Sequence, residues 1–288
     1  MHSEASHACD ADGMRSRWRR TVALAAVAGV ALVGVSVAAN AETPGTFSGS
    51  YIGMNAGVAW GQSSFATNPN CPPPAIDATF CNAPPAAAAV NGTAVAARGT
   101  GRLSPSGFTG GVQAGRNWQA GTLVYGAEAD FGVLDLGESA TANGLFPFPF
   151  LGTQYSLAEK MTANWLATLR ARMGFAVAPH LLLYATGGLA FSELRFSSAY
   201  SDNAVDATFP GGTGYGRRSQ IKIGWTAGGG VEWLLDRTWS VRAEYLYVDL
   251  GSTHVLIATS NTATFTQTMR VDADLIAHIG RLGLNYRF

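Results

Sequence analysis

Charged residues at alternate positions are the feature of this sequence with the clearest chemical potential. Acids and arginines stand two positions apart at several places along the chain. These residues are Glu128, Asp130, Arg170, Arg172, Glu232, Arg242 and Glu244. Side chains two positions apart lie on the same face of a β-strand, so neighbouring strands can set acids opposite arginines. Such a row could line an ion path, or it could neutralise itself as salt bridges that fill a narrow polar interior.

The histidines do not suggest a catalytic group. Covalent catalysis needs a nucleophile, a base and an orienting group together. Beyond the first forty positions the histidines are His180, His254 and His278, and no Ser stands two residues from His278. We therefore expect no enzyme activity and no cofactor. A haem- or ligand-binding loop that uses His254 with Tyr200 or Tyr215 is an alternative.

The N-terminal segment resembles an export signal. Residues 14–20 are basic, residues 22–38 are almost entirely apolar, and residues 39–41 form a small-residue cleavage site. This series predicts a secretory signal peptide over residues 1–41 and a mature chain over residues 42–288. Met14 is an alternative start because residues 1–13 carry three acids. An uncleaved anchor is the competing interpretation.

Two cysteines remain in the exported chain. Cys71 and Cys81 stand ten positions apart in a proline-rich stretch. In an exported protein this spacing favours a disulfide that closes a small loop, with two free thiols as the alternative. No His stands near them, so we predict no metal site.

Composition excludes several classes of protein. The 19 basic and 19 acidic residues leave no net charge to attract nucleic acid. Charged residues form 13% of the chain, whereas soluble domains usually contain about 25%. Lys160 and Lys222 are the only lysines, so soluble amphipathic helices are hard to build. After the first forty positions, no run of 18 apolar residues predicts a membrane-spanning helix.

Eight segments alternate between two classes of residue and are bounded by turn residues, which is typical of β-strands. They lie near residues 49–60, 107–118, 122–133, 162–175, 181–192, 221–234, 239–250 and 272–288. Short connections follow the second, fourth and sixth segments, and long ones follow the first, third, fifth and seventh, including a loop over residues 61–106. This order predicts an all-β fold: an eight-stranded antiparallel transmembrane β-barrel with short periplasmic turns and long extracellular loops.

One face of each segment is apolar and aromatic, and the other is small or charged. A soluble barrel would place the charged face outside, but that face nearly lacks Lys. Aromatic residues also recur near the segment ends on the apolar face, as the two interfacial girdles of a membrane barrel require. Placing Arg170, Arg172 and Arg242 in lipid would cost about 2 to 4 kcal/mol each. We therefore predict that the charges face the lumen. The residues that break the pattern are Arg116, Asp249, Asp274 and His278.

The last eleven residues, 278–288, place four apolar side chains on one face and end on an aromatic. These are Leu282, Leu284, Tyr286 and Phe288. They look like the C-terminal signal read by the barrel-assembly machinery. Together with Gly-rich strand motifs at residues 111–118, 168–174, 183–190, 224–233 and 243–251, they make the chain resemble the alphaproteobacterial small-porin family, also called RopB-like or opacity-protein-like surface antigens. The resemblance covers nearly all of residues 49–288.

Three functions are compatible with this pattern. The leading hypothesis is an outer-membrane structural barrel and surface antigen that contributes to envelope integrity, with a lumen plugged by charged pairs. The second is a low-conductance porin for small solutes. The third is a ligand or adhesion receptor that acts through extracellular loops. The expected partners are outer-membrane lipid, lipopolysaccharide and the barrel-assembly machinery, and no nucleic acid.

Overall fold

The computed structural model describes residues 46–70, 85–147, 152–203, 211–260 and 266–288. The chain divides into one unit over residues 1–43 and another over residues 44–288, and the described residues belong to the second. The predicted signal peptide and the predicted Cys71–Cys81 disulfide lie outside the described residues. Both remain predictions.

Eight long antiparallel strands form a closed ring in which β1 pairs with β3 on one side and with β9 on the other. A three-residue strand, β2, pairs with β1 beside this ring. The strands are β1 (Gly49–Asn70), β2 (Gly101–Leu103), β3 (Ser106–Ala120), β4 (Leu123–Leu145), β5 (Gln154–Ala178), β6 (Leu181–Asp202), β7 (Thr213–Leu234), β8 (Trp239–Ser260) and β9 (Thr266–Arg287). The predicted eight-stranded antiparallel barrel is confirmed.

The connections at one end of the ring are short, as predicted. Gly121 and Thr122 alone join β3 to β4, and Gly121 has a φ of 63°, which a glycine adopts without steric cost. Residues 179–180 join β5 to β6, and residues 235–238 join β7 to β8. Because short turns lie on the periplasmic side of bacterial barrels, this end is periplasmic.

The strands extend further toward the other end than the alternation predicts. The predicted loop over residues 61–106 is wrong in part, because β1 continues to Asn70 and β2 lies within it. Helix α1 (Pro85–Arg98) occupies another part of it and packs Val95 into the interior. Alternation persists beyond residue 60, with Ser63 and Phe65 still facing inward. In the described ranges, no helix is long and apolar enough to cross a bilayer.

The ring has two levels, which we call the membrane tier and the extracellular tier. The membrane tier runs from the periplasmic turns to an upper aromatic row, Trp60, Trp165, Trp225, Tyr247 and His278. The extracellular tier comprises the strand segments beyond it, residues 61–70, 134–145, 154–164, 192–202, 213–224, 248–260 and 266–277, with α1 and β2.

The outer face of the membrane tier is apolar between two aromatic rows. Trp225 and Trp233 on β7 are eight residues apart and both exposed, and Tyr247 and Trp239 repeat this spacing on β8. Eight strand residues span about 27 Å along a strand, and strand tilt brings this close to the apolar band of about 25 Å in such barrels. The two rows therefore mark the bilayer interfaces.

The four residues that break the predicted pattern face outward near these interfaces. Arg116 lies close to the periplasmic turn, with its guanidinium 5.6 Å from the ring centroid of Trp118. His278 belongs to the upper aromatic row, Asp249 lies beside Trp225 of that row, and Asp274 lies above it. The Arg116 guanidinium therefore reaches the periplasmic interface beside Trp118, and the two aspartates lie at or above the upper interface.

Candidate functional site

The lumen of the membrane tier contains four arginines and four carboxylates that form one neutral set. They are Arg170, Arg172, Arg242 and Arg281 with Glu128, Asp130, Glu232 and Glu244. Strand pairing sets Glu128 directly opposite Arg170, Glu232 opposite Arg242 and Glu244 opposite Arg281. The structure thus brings together all seven lumen residues named from the sequence, and it adds Arg281.

Arg170 lies at the centre of this network and is fully buried. Its Nη2 donates to Glu128 and, at 2.9 Å, to Asp130, while its Nη1 donates to Glu244 at 3.1 Å. Its Nε donates to the Thr168 hydroxyl at 3.0 Å. Three carboxylates from two other strands therefore compensate a single guanidinium.

Arg242 and Arg281 complete the network from β8 and β9. Arg242 donates to both oxygens of Glu128, one of them at 3.0 Å. Arg281 donates to Glu244 at 2.8 Å through Nε and to Asp130 at 3.1 Å through Nη2. Glu128, Asp130 and Glu244 thus each contact at least two arginines. The network therefore does not depend on any single ion pair.

Arg172 forms a second centre nearer the periplasm. Its Nη2 donates to Glu232 at 2.7 Å and its Nη1 to the Tyr51 hydroxyl at 3.1 Å. The guanidinium also lies 4.0 Å from the ring centroid of Tyr184. Glu232 accepts a further bond from Ser240 at 2.7 Å. Its partner is Arg172, although Arg242 is directly opposite Glu232 in the strand pairing.

Neutral polar residues fill the space beside the charges. Gln113 accepts from Asn55 at 2.8 Å and donates to Asn285 at 2.6 Å. These residues and Arg281 were missed in the sequence analysis, although the alternation contained the signal. Arg281 and Asn285 are on the face of β9 opposite Leu282 and Leu284, which are exposed.

Apolar side chains cover the charged layer at both ends. On the periplasmic side, Phe47 is buried against a small cluster that also contains Val124, Leu182, Tyr184 and Leu234. Its backbone N–H donates to Gln119 at 2.7 Å, which holds the N-terminal segment across the opening. On the other side, the extracellular tier encloses a large apolar core. A cavity of about 10 Å³ beside Asp130 and Arg281 has room for one water molecule.

The sequence profile of the outer membrane protein beta-barrel domain family matches residues 25–288. The chain belongs to this family. The 31 kDa outer-membrane immunogenic protein of Brucella melitensis biotype 1 is 31% identical over 274 residues, which cover 92% of this chain and 95% of that protein. The 22 kDa outer membrane protein of Rhizobium leguminosarum bv. viciae is 31% identical over 146 residues, which cover 51% and 54% respectively.

Among solved structures, that of Neisserial surface protein A is 12% identical, covers 84% of this chain and 98% of that one, and superposes with a TM-score of 0.31. The family and the two sequence relatives confirm the predicted alphaproteobacterial outer-membrane resemblance and the location in the outer membrane.

The C-terminal row of this outer-membrane barrel faces lipid. All four residues proposed as the assembly signal are exposed on the outer face of β9 and at the chain end: Leu282, Leu284, Tyr286 and Phe288. The backbone N–H of Phe288 donates to Ser50 at 3.0 Å, so the last residue pairs with β1 at the closure of the ring.

The histidines of this barrel lie apart from one another. His180, in a periplasmic turn, packs against Trp233 with 4.3 Å between ring centroids and the rings tilted by 54°, and His278 hydrogen-bonds Tyr245 on the outer face. The loop alternative for His254 is wrong, because His254 lies within β8. Its two possible partners lie in strands as well. Tyr200 is buried inside the ring and Tyr215 is exposed outside it. The described ranges contain no cluster of three metal-binding side chains.

Two acids of the extracellular tier have shifted pKa values. Burial raises the pKa of Glu159 to about 7, and a hydrogen bond from Ser198 at 2.6 Å opposes this shift. Glu159 is almost fully buried, and its Oε2 atom has no hydrogen-bond partner among the described residues. In contrast, hydrogen bonds from Arg195 and Ser219 lower the pKa of Glu193 on the outer surface.

Proposed function

We propose that this protein is a structural outer-membrane barrel with a closed lumen that presents a surface antigen and contributes to envelope integrity. The observation that carries the proposal is the closure of the lumen in three layers. An apolar cap around Phe47 lies on the periplasmic side, the neutral charge network lies at membrane depth, and the apolar core lies above it.

The charge network supports a closed lumen on energetic grounds. A buried charge that loses its partner costs about 3 to 5 kcal/mol, so an ion that entered would have to displace contacts that compensate one another. Each arginine here is held by one or more carboxylates on other strands. An eight-stranded barrel is also just wide enough for its own side chains to fill it.

Planar-bilayer recording tests the proposal and separates it from the low-conductance porin. We expect the wild-type barrel to conduct no steady current. Arg170→Ala/Arg172→Ala should admit water around Glu128 and Asp130 and give cation-selective current, because the remaining lumen charges are mostly acidic. The matched control, Arg170→Lys/Arg172→Lys, keeps both charges and should conduct less than the alanine pair.

The wild-type recording decides the matter even where the double alanine variant fails to fold. A large steady wild-type conductance would contradict the closed lumen and favour the porin. The receptor alternative depends on the extracellular segments and not on the lumen. No contact in the described residues favours it.

The antigen role and the partners rest on separate support. The Brucella relatives are named outer-membrane immunogenic proteins, and the extracellular tier carries this chain well beyond the upper aromatic row. We propose outer-membrane lipid and lipopolysaccharide as its surroundings. We propose the barrel-assembly machinery as the reader of the exposed C-terminal row that ends at Phe288. We also propose that the protein is not an enzyme, because His180, His254 and His278 lie on separate parts of the ring.

A further inference from the structure

One wall of the extracellular tier, formed by β5, β6 and β7, has an ordered series of outward residues. Strand pairing places Leu189 beside Trp225 at the upper aromatic row and Phe191 beside Ile223 above it. Still higher, Glu193 lies beside Ile221. The next two rows cross all three strands and consist of Thr162, Arg195 and Ser219, and then Lys160, Ser197 and Arg217, below two uncharged rows that begin at Ala158 and Ser156. The wall therefore changes from apolar to basic with distance from the membrane.

The apolar part of this wall continues for two outward positions beyond Trp225. Ile221 and Ile223 are 67% and 68% exposed, although they lie beyond Trp225. On β8 the outward residue directly beside Trp225 is Asp249, and on β4 the first outward residue above Val133 is Asp135. Exposing two isoleucines to water is unfavourable. This wall is therefore suited to contact acyl chains that extend higher than the surrounding bilayer edge.

The basic part of the wall carries an excess of positive charge. Lys160, Arg195 and Arg217 face outward in adjacent rows, and about 10 Å separates the backbones of the first and third strands. Arg218 and Lys222 lie at the β7 edge where pairing with β8 is interrupted between Tyr215 and Trp225. The acid within this group, Glu193, accepts bonds from Arg195 at 2.6 Å and from Ser219.

The opposite wall has no comparable excess of positive charge. Outward positions on β8 and β9 include Asp249, Asp272 and Asp274, and Arg270 there pairs with Asp272 at 2.6 Å. Charge complementarity therefore selects the β5–β7 wall as the surface for an anionic partner.

We propose that the β5–β7 wall binds lipopolysaccharide, with the lipid A phosphates on Lys160, Arg195 and Arg217 and an acyl chain against Ile221 and Ile223. Both parts of this ligand match the wall, since its phosphates lie above its acyl chains in the outer leaflet. The guanidinium forks of Arg195 and Arg217 are suited to bind phosphate oxygens in pairs. This inference rests on the proposed function, because it names the site for one of the partners suggested there.

The test uses the full chain extracted from outer membranes in a non-ionic detergent and depleted of bound lipid. Native mass spectrometry measures binding of bisphosphorylated lipid A, of the same lipid A after enzymatic dephosphorylation, and of phosphatidylglycerol. Each basic residue near an anionic membrane surface contributes about fivefold in affinity, so Lys160→Gln/Arg217→Gln should lose about 30-fold for bisphosphorylated lipid A. Dephosphorylated lipid A should bind the wild-type protein more weakly.

Two further variants separate the phosphate contacts from the apolar ones. Ile221→Ser/Ile223→Ser should weaken binding of both forms of lipid A. Arg116→Gln/Arg237→Gln removes two charges from the periplasmic end and should leave binding within about twofold, because these residues are remote from outer-leaflet phosphates.

The outcomes distinguish this inference from the proposed function. Equal affinity of wild type and Lys160→Gln/Arg217→Gln would overturn the phosphate site. Equal affinity for phosphatidylglycerol and lipid A would overturn the choice of lipopolysaccharide. Bilayer recordings on the same preparations remain independent of both results. A silent barrel that binds no lipid A contradicts only this inference, and a conducting barrel that binds it contradicts only the closed lumen.

Discussion

The membrane tier and the extracellular tier are built from the same strands, yet their inner and outer faces have opposite character. Strand β4 shows the reversal within a few residues. In the membrane tier, Phe131 and Val133 face out while Asp130 faces in. Immediately above, Leu134 and Leu136 face in and the outward positions are polar. One strand thus passes from a lipid-facing arrangement to that of a water-soluble barrel.

The medium around each tier accounts for this difference. In water, burying apolar side chains stabilises a barrel by about 25 cal/mol per Å², which favours an apolar core in the extracellular tier. In the membrane tier, burying apolar side chains in the lumen gives no such gain, because the acyl chains outside are equally apolar. The stability of this tier therefore depends on packing and hydrogen bonds. The salt-bridged lumen supplies directional bonds where the hydrophobic effect does not act.

Irregularities in strand pairing occur where the two tiers meet. Register shifts occur between Val133 and Leu136 on β4, between Ala163 and Ala167 on β5, and between Asp249 and Ser252 on β8. On β5 and β8 they exchange the inward and outward positions. Gly251 adopts a φ of 66° at the β8 irregularity, which is accessible to glycine.

The largest expected effect is in the membrane tier. Arg170→Ala should lower the free energy of unfolding by about 3 to 5 kcal/mol, because Glu128, Asp130 and Glu244 lose a shared partner. Urea unfolding of the barrel in detergent, followed by tryptophan fluorescence, measures the change. The control is Arg270→Ala, whose side chain is 53% exposed in its pair with Asp272 and should cost less than about 1 kcal/mol. Equal effects would show that the lumen network is no stronger than a surface pair.

The sequence was sufficient to predict the barrel, its periplasmic turns and the inward position of the seven lumen charges, because residues alternate regularly between buried and exposed positions in the membrane tier. It was insufficient for the upper strand ends for two reasons. The faces exchange character above the upper aromatic row, and the irregularities near Asn164 and Gly251 interrupt the alternation. The predicted segments on β5 and β8 accordingly began at residue 162 and ended at residue 250, close to those irregularities. The contacts of Arg170 with Glu244 and of Arg172 with Glu232 could not be predicted, since these guanidinium groups reach across the lumen to strands that do not pair with β5.

An intermediate effect is expected in the extracellular core. Leu157→Ala should cost about 2 to 4 kcal/mol, because Leu157 is buried and its removal leaves a cavity. Leu169→Ala is the matched control on the same strand, 55% exposed on the lipid-facing side. It should cost about 1 kcal/mol or less, because detergent fills the space and the insertion preference of leucine is small. The same urea titrations measure both, and a larger loss for Leu169→Ala would contradict the assignment of the two tiers.

The smallest expected effect is a stabilisation, whereas the other substitutions destabilise the protein, and it depends on pH. Glu159 is an acid in the apolar core of the extracellular tier, and its pKa is about 7 in the folded protein against an ordinary value of 4.5. Between these values the folded state holds a proton that the unfolded state has lost, so stability falls as pH rises through this range. Above pH 7 the folded protein carries the full cost of a buried carboxylate with one unpartnered oxygen. Glu159→Gln removes that ionisation and should stabilise the protein by roughly 1 to 3 kcal/mol at pH 8.

At pH 4 both states of the wild-type carboxyl are largely protonated, so wild type and Glu159→Gln should unfold at similar urea concentrations. The difference between the two proteins is the quantity to measure, because every other ionisable group is the same in both. Glu193→Gln provides the opposite case, since arginine and serine contacts lower the pKa of this exposed acid. Its loss should remove a small stabilisation at pH 8 and none well below the folded pKa. If Glu159→Gln destabilises the barrel at pH 8, the carboxylate must have a partner in solution, and the extracellular tier is wetter inside than its apolar lining indicates.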